Sequence, residues 1–102
     1  MLAAITWMPT VFAEVEENLK RAERYAAAAA EKGARLIVFP EFFTTGFALN
    51  EKMMQSILAS DEVEKRLLSL SQRYGIAIGG SYLHYDSEKE EVFNTYGLFF
   101  PG

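Results

Sequence analysis

Leu36-Ile37-Val38-Phe39-Pro40-Glu41-Phe42-Phe43 is the stretch on which the fold turns. Four apolar, mostly β-favouring residues run without alternation between Gly33 and Pro40, which is how a strand buried on both faces reads. Strands of that kind belong to parallel sheets, whose neighbours are joined through crossover helices. The residues on either side supply such helices. Upstream, from Glu14, Val15, Leu19, Ala22, Ala26 and Ala29 recur at steps of four and three, with Glu16, Glu17, Lys20, Glu23 and Arg24 on the opposite face. Glu14, Glu16 and Glu17 complement the positive end of that helix, and Gly33 can stop it in the left-handed conformation. The stripe is mostly alanine, so this helix is expected to pack close to whatever covers it.

Downstream, 40–59 shows no sustained period and reads as a long loop, a length that is often functional in compact domains. Asp61-x-x-Glu64 resembles a capping box, and Val63, Leu67, Leu70 and Tyr74 follow at helical spacing until Gly75. Ile76 to Tyr85 and Val92 to Phe100 read as strands joined by the charged connection 86–91. That connection is too short for a parallel crossover and predicts a hairpin. Met1 to Trp7, apolar and stopped by Pro9, reads as one more buried strand. The order strand, helix, strand, loop, helix, strand, strand predicts an α/β fold with helices on one face of a sheet.

The chain has 102 residues, half of them hydrophobic, enough for one core. Ten Lys and Arg against fourteen Asp and Glu, with no long basic run, argue against nucleic acid as a partner. No apolar run approaches the roughly 20 residues of a membrane span, and no leader pattern opens the chain. A cytoplasmic protein without a membrane partner is expected. There is no cysteine, hence no disulfide and no thiol nucleophile within these residues.

Glu41 is the candidate for chemistry. It stands at the C-terminal end of the central strand, where α/β sheets open ligand crevices. Phe42, Phe43 and Phe47 crowd it, and a desolvated carboxyl shifts towards the range useful to a general base. A glutamate capping a nearby helix or pairing with Arg35 would fit the same spacing, the rings then being core. His84 reads as an inert strand histidine with no acidic cluster at metal spacing beside it, so no metal is expected. Met53, Met54, Ile57 and Leu58 read as packing within the loop. Gly79-Gly80-Ser81 lacks the helix and lysine of a phosphate loop and suggests a close backbone approach.

Four blocks in order carry a resemblance that covers the whole chain: Asn18-Leu19-x-x-Ala22, Gly33-Ala34-x-Leu36-Ile37-Val38-Phe39-Pro40-Glu41, Thr45-Gly46-Phe47, and Gly79-Gly80-Ser81 with Asn94-Thr95. Together they resemble the N-terminal part of the nitrilase superfamily of carbon-nitrogen hydrolases, in wording nearest its omega-amidase-like branch. The resemblance implies half of an α-β-β-α sandwich and a Glu-Lys-Cys mechanism on an amide or nitrile substrate, without a cofactor. Glu41 matches the general base, and Phe43 and Phe47 match pocket walls. The lysine and cysteine would lie beyond Gly102, and neither Lys52 nor Lys89 takes the lysine's place. Residues 1–102 are therefore expected to be an incomplete domain, inactive alone, that forms a homo-oligomer in the intact enzyme. The alanine stripe could serve a two-fold interface or face its own sheet. Without a second sheet, the inner face of Leu36 to Phe39 and Ile76 to Tyr82 is expected to lie bare. Two other readings are a non-catalytic assembly module and a flavodoxin-like binding domain, the latter requiring the last two strands to run parallel.

Overall fold

The computed structural model describes residues 2–6, 8, 14–40, 43–44, 60–86, 88–89 and 91–102. Within them the order is β1 (Leu2–Ile5), α1 (Val15–Glu31), β2 (Ala34–Val38), α2 (Ser60–Tyr74), β3 (Ala77–Asp86) and β4 (Glu91–Phe99). One sheet runs β1-β2-β3-β4. β2 pairs parallel with both β1 and β3, and β4 returns antiparallel to β3 from Asp86↔Glu91 to Ile78↔Phe99. The antiparallel return removes the flavodoxin-like reading. Asp86 makes the turn itself, its Oδ1 accepting the backbone N–H groups of Glu88 and Lys89.

Helix α1 buries Asn18, Leu19, Ala22, Ala26 and Ala29, so the alanine stripe faces the chain's own core. Helix α2 buries Val63, Leu67 and Leu70 beside it, against Ile37, Ile76 and Ile78 of the sheet. Burying a side chain of the Leu or Ile class yields about 1.5–3 kcal/mol, which makes this helix-covered face the main source of stability. Gly33 at φ 90° and Gly75 at φ 62° end the two helices in a conformation that costs glycine nothing. Polar contacts tie the helices together outside the core: Arg66 to Glu16 at 2.7 Å, and Tyr74 Oη donating to Glu23 at 2.7 Å. Ser71 Oγ, fully buried, lies 2.7 Å from the Ile76 carbonyl and 3.0 Å from that of Phe99, joining α2 to the residue that leads into β3 and to the end of β4.

Three expectations need correction. β1 is an edge strand rather than a buried one: among the described residues only one of its flanks has a partner strand, and Ile5 is 87% exposed. β2 is buried on its helix side, at Ile37 and Phe39, whereas Leu36 and Val38 on the other side are half-buried. Glu64 does not close a capping box. Its carboxylate faces β3.

Among the described residues, no helix covers the second side of the sheet. Pairing places Leu36, Val38, Gly79, Tyr96 and Leu98 on that side, with Phe100 next in line, and the last three have more than half of their surface open. Tyr96 and Leu98 lie across Gly79, where a Cβ would meet the Tyr96 hydroxyl at 2.9 Å. The side is open at Tyr96, Leu98 and Phe100, whereas on β2 and β3, where the sequence leads one to expect the bare face, Leu36 and Val38 are half-buried and Ala77, Gly79 and Ser81 are buried.

Candidate functional site

β2 delivers its C-terminal end between its two parallel neighbours. The Thr6 N–H donates to the Val38 carbonyl at 3.1 Å, and the Phe39 N–H donates to the Gly79 carbonyl at 2.8 Å. The strand is thus held to its last residue before Pro40. Glu41, Phe42 and Phe47 lie outside the described residues, as do Met53, Met54, Ile57 and Leu58. Phe43 and Thr44 are described, and both are fully buried.

The Phe43 ring stacks on Phe39, with centroids 4.9 Å apart and planes 14° from parallel. Beneath the pair lies Gly80, where a Cβ would come within 2.7 Å of Phe43 and 3.4 Å of Phe39. The glycine is needed for room. Its neighbour Gly79 carries the backbone bond to Phe39, so the Gly-Gly pair is a site of close approach, as the sequence suggests. From the other side, Asn18 Nδ2 donates to the Thr44 carbonyl at 2.8 Å, a bond buried between α1 and the loop. The motif Asn18-Leu19-x-x-Ala22 by itself assigns Asn18 no role. The signal was available, since a carboxamide on an otherwise apolar helical stripe has to find a buried partner.

Farther along β3, Tyr82 is buried and donates from Oη to Glu64 Oε2 at 2.5 Å. Burial, and next the hydrogen bond to Glu64, hold the Tyr82 phenol well above the usual tyrosine range. His84 Nδ1 stands 3.2 Å from Glu64 Oε1, close enough for an ion pair when protonated but out of line for a hydrogen bond. Asp61 completes the group, with ligand-type atoms of Asp61, Glu64 and His84 all within 4.8 Å of one another. His84 therefore has acidic company that the sequence reading did not foresee, brought to it by the packing of α2 on β3. Glu64 is already engaged by Tyr82, and the group joins α2 to β3.

A cleft of about 560 Å³ opens at the opposite end of the strands, lined by Arg35, Leu36, Gly75, Ala77, Phe100 and Pro101. It is continuous with the bare side of the sheet and distant in topology from the end of β2 that leads to Glu41.

The family profile of the carbon-nitrogen hydrolases matches residues 2–102. This chain belongs to that family. An omega-amidase of Xenopus tropicalis is 34% identical over 86 residues, 83% of this chain and 30% of that protein. A nitrilase homologue of Dictyostelium discoideum is 31% identical over 85 residues, 82% of this chain and 26% of that protein. Among solved structures, an amidase from Nesterenkonia sp. superimposes with a TM-score of 0.86 at 25% identity, covering 97% of this chain and 38% of that one. A glutamate-to-glutamine variant of that amidase is described with acrylamide added to its active-site cysteine. The chain thus spans between a quarter and a third of these curated relatives, and its α/β sheet with helices on one side is a nitrilase-type half.

Proposed function

We propose that these residues supply the general-base half of an amidase-type site, with Glu41 as the base and a lysine and a cysteine contributed by sequence beyond Gly102. The observation that carries the reading is the end of β2. A strand held to Phe39 by a parallel neighbour leads into Pro40, with Glu41 next in sequence, and the rings of Phe39 and Phe43, which flank Glu41 in sequence, stack on each other. In this mechanism the cysteine thiolate attacks the amide or nitrile carbon. Glu41 takes up and returns the proton, and the lysine stabilises the charge that develops on the substrate. Phe47 borders the substrate, a small amide of the kind an omega-amidase accepts, while Phe43, which the sequence also offers as a pocket wall, is buried against Phe39 and Gly80.

Ammonia release from a panel of short ω-amides and nitriles tests this reading. The 102-residue chain alone is expected to give none. Joined to a lysine- and cysteine-bearing half it is expected to turn over, and Glu41→Gln to lower kcat by about 10²-fold or more. Turnover by the chain alone that Glu41→Gln abolishes would overturn the proposed inactivity. Full activity of the joined Glu41→Gln enzyme would overturn the role of Glu41.

The uncovered apolar side of the sheet favours a second reading, a non-catalytic module that uses this half-sandwich for assembly. A joined protein that folds and never turns over would support it.

A further inference from the structure

We propose that Asp61, Glu64 and His84 form a binding site for a divalent transition-metal ion of the zinc class, which clamps the first turn of α2 to β3. The inference is independent of the reading of Glu41. α2 presents Asp61 and Glu64 together, because residues three apart on a helix are neighbours, and β3 brings His84 up to them. Ligand-type atoms of the three all lie within 4.8 Å of one another. A zinc ion held by nitrogen and oxygen at about 2.1 Å sets its ligand atoms about 3.4 Å apart in a tetrahedron. Glu64 Oε1 and His84 Nδ1 already stand at 3.2 Å, near that spacing. Asp61 is exposed, so its side chain is free to turn and close the remaining gap.

The observation that calls for an ion is the state of His84 Nδ1. That atom is shut off from solvent, and no hydrogen-bond partner among the described residues is in line with it, the nearby Glu64 carboxylate included. A buried polar atom left in that state is costly and needs an explanation. A cation between the nitrogen and the carboxylate satisfies both, since a neutral imidazole then offers its lone pair and no N–H has to be aimed. Two carboxylates bring two negative charges, which a divalent ion balances. Nitrogen and oxygen donors together suit zinc and its neighbours, whereas magnesium takes oxygen. The other oxygen of Glu64, Oε2, accepts from Tyr82 Oη at 2.5 Å. That bond leaves Oε1 for the metal and fixes the carboxylate, the outer support that ligating groups usually have. The side chains of His84 and Glu64 stay 30% and 34% open, which leaves the ion a way in and room for water in the fourth position.

The chain has one histidine and no cysteine, so an imidazole signal can report only this site. The test is nitrogen-15 NMR of that imidazole in the 102-residue chain as zinc chloride is added, with magnesium chloride as the control and circular dichroism as the check on the fold. The Nδ1 resonance is expected to move and to saturate at a one-to-one ratio of zinc to chain, and to stay in place with magnesium. Tyr82→Phe is expected to weaken zinc binding by about 10- to 100-fold, the usual cost of removing outer support from a ligand, and Asp61→Asn by at least as much. If zinc leaves Nδ1 of the folded chain where it was, or moves Nε2 in its place, the proposal fails. Saturation reached only at millimolar zinc would mean adventitious binding and would sink it too. A folded Asp61→Asn chain that binds as tightly as the parent would overturn the three-residue site. Should a variant lose its fold, the response of Nδ1 in the parent decides alone.

Discussion

At the scale of single residues, the tightest constraint lies where Phe43 meets Gly80. A methyl group at position 80 would stand 2.7 Å from the edge of an aromatic ring that is itself stacked on Phe39, so no flexible chain end can give way. Gly80→Ala is expected to destabilise the fold by about 1–3 kcal/mol, the usual range for overpacking. Urea denaturation would measure the loss, and an unchanged midpoint would mean that the ring has somewhere else to go. The sequence carried part of this. Gly79-Gly80 in a strand suggested a close approach, but nothing in the spacing told which ring would come down on it. Glu41 was legible as the end of a strand, and Asn18 was legible only as a polar interruption of a stripe. The partner of Asn18 lies 26 residues on, in a loop without periodicity.

At the scale of elements, α2 and β3 are joined by a polar contact as well as by packing. Tyr82 is neutral in the fold, with burial and Glu64 both opposing its ionisation. A phenol whose folded pKa is raised adds stability that is complete below the unfolded value of about 10 and is lost as pH climbs above it. Tyr82→Phe is expected to cost about 1 kcal/mol near neutrality through the lost hydrogen bond. It should also flatten the alkaline decline in stability. Denaturation midpoints followed across the alkaline limb would show whether the slope changes, and an unchanged slope would put the alkaline sensitivity elsewhere. The elements themselves were readable from residue spacing. The alanine stripe, the two helix-ending glycines and the hairpin all appear where the periodicity put them. The function of Glu64 was not readable, because a capping box and a cross-element acceptor have the same local sequence. Packing of α2 on β3 decided between them.

For the whole molecule, the main fact is that the described helices cover one side of the sheet, while Tyr96, Leu98 and Phe100 stand open on the other. Tyr96, Leu98 and Phe100 present apolar surface that soluble monomers seldom leave uncovered in one patch. The 102-residue chain is expected to run above its monomer mass of 11.5 kDa in light scattering. Leu98→Lys combined with Phe100→Lys is expected to shift it towards the monomer without loss of helix content, since neither side chain belongs to the core under the helices. A monomeric parent would show that this side is tolerated in water. The sequence placed a bare inner face on Leu36 to Phe39 and Ile76 to Tyr82, whereas the open side chains are Tyr96, Leu98 and Phe100. It misjudged β1, because an apolar run reads the same at the rim of a sheet as at its centre.

The rim also has a direction. The sheet ends on one flank in the four residues of β1 and on the other in the nine of β4. Among the described residues neither outermost strand has a further partner, and the main-chain groups such an edge can offer scale with its length. An incoming extended peptide would find more than twice the ladder along β4 that it finds along β1, so growth of this sheet by strand addition is favoured on one flank only.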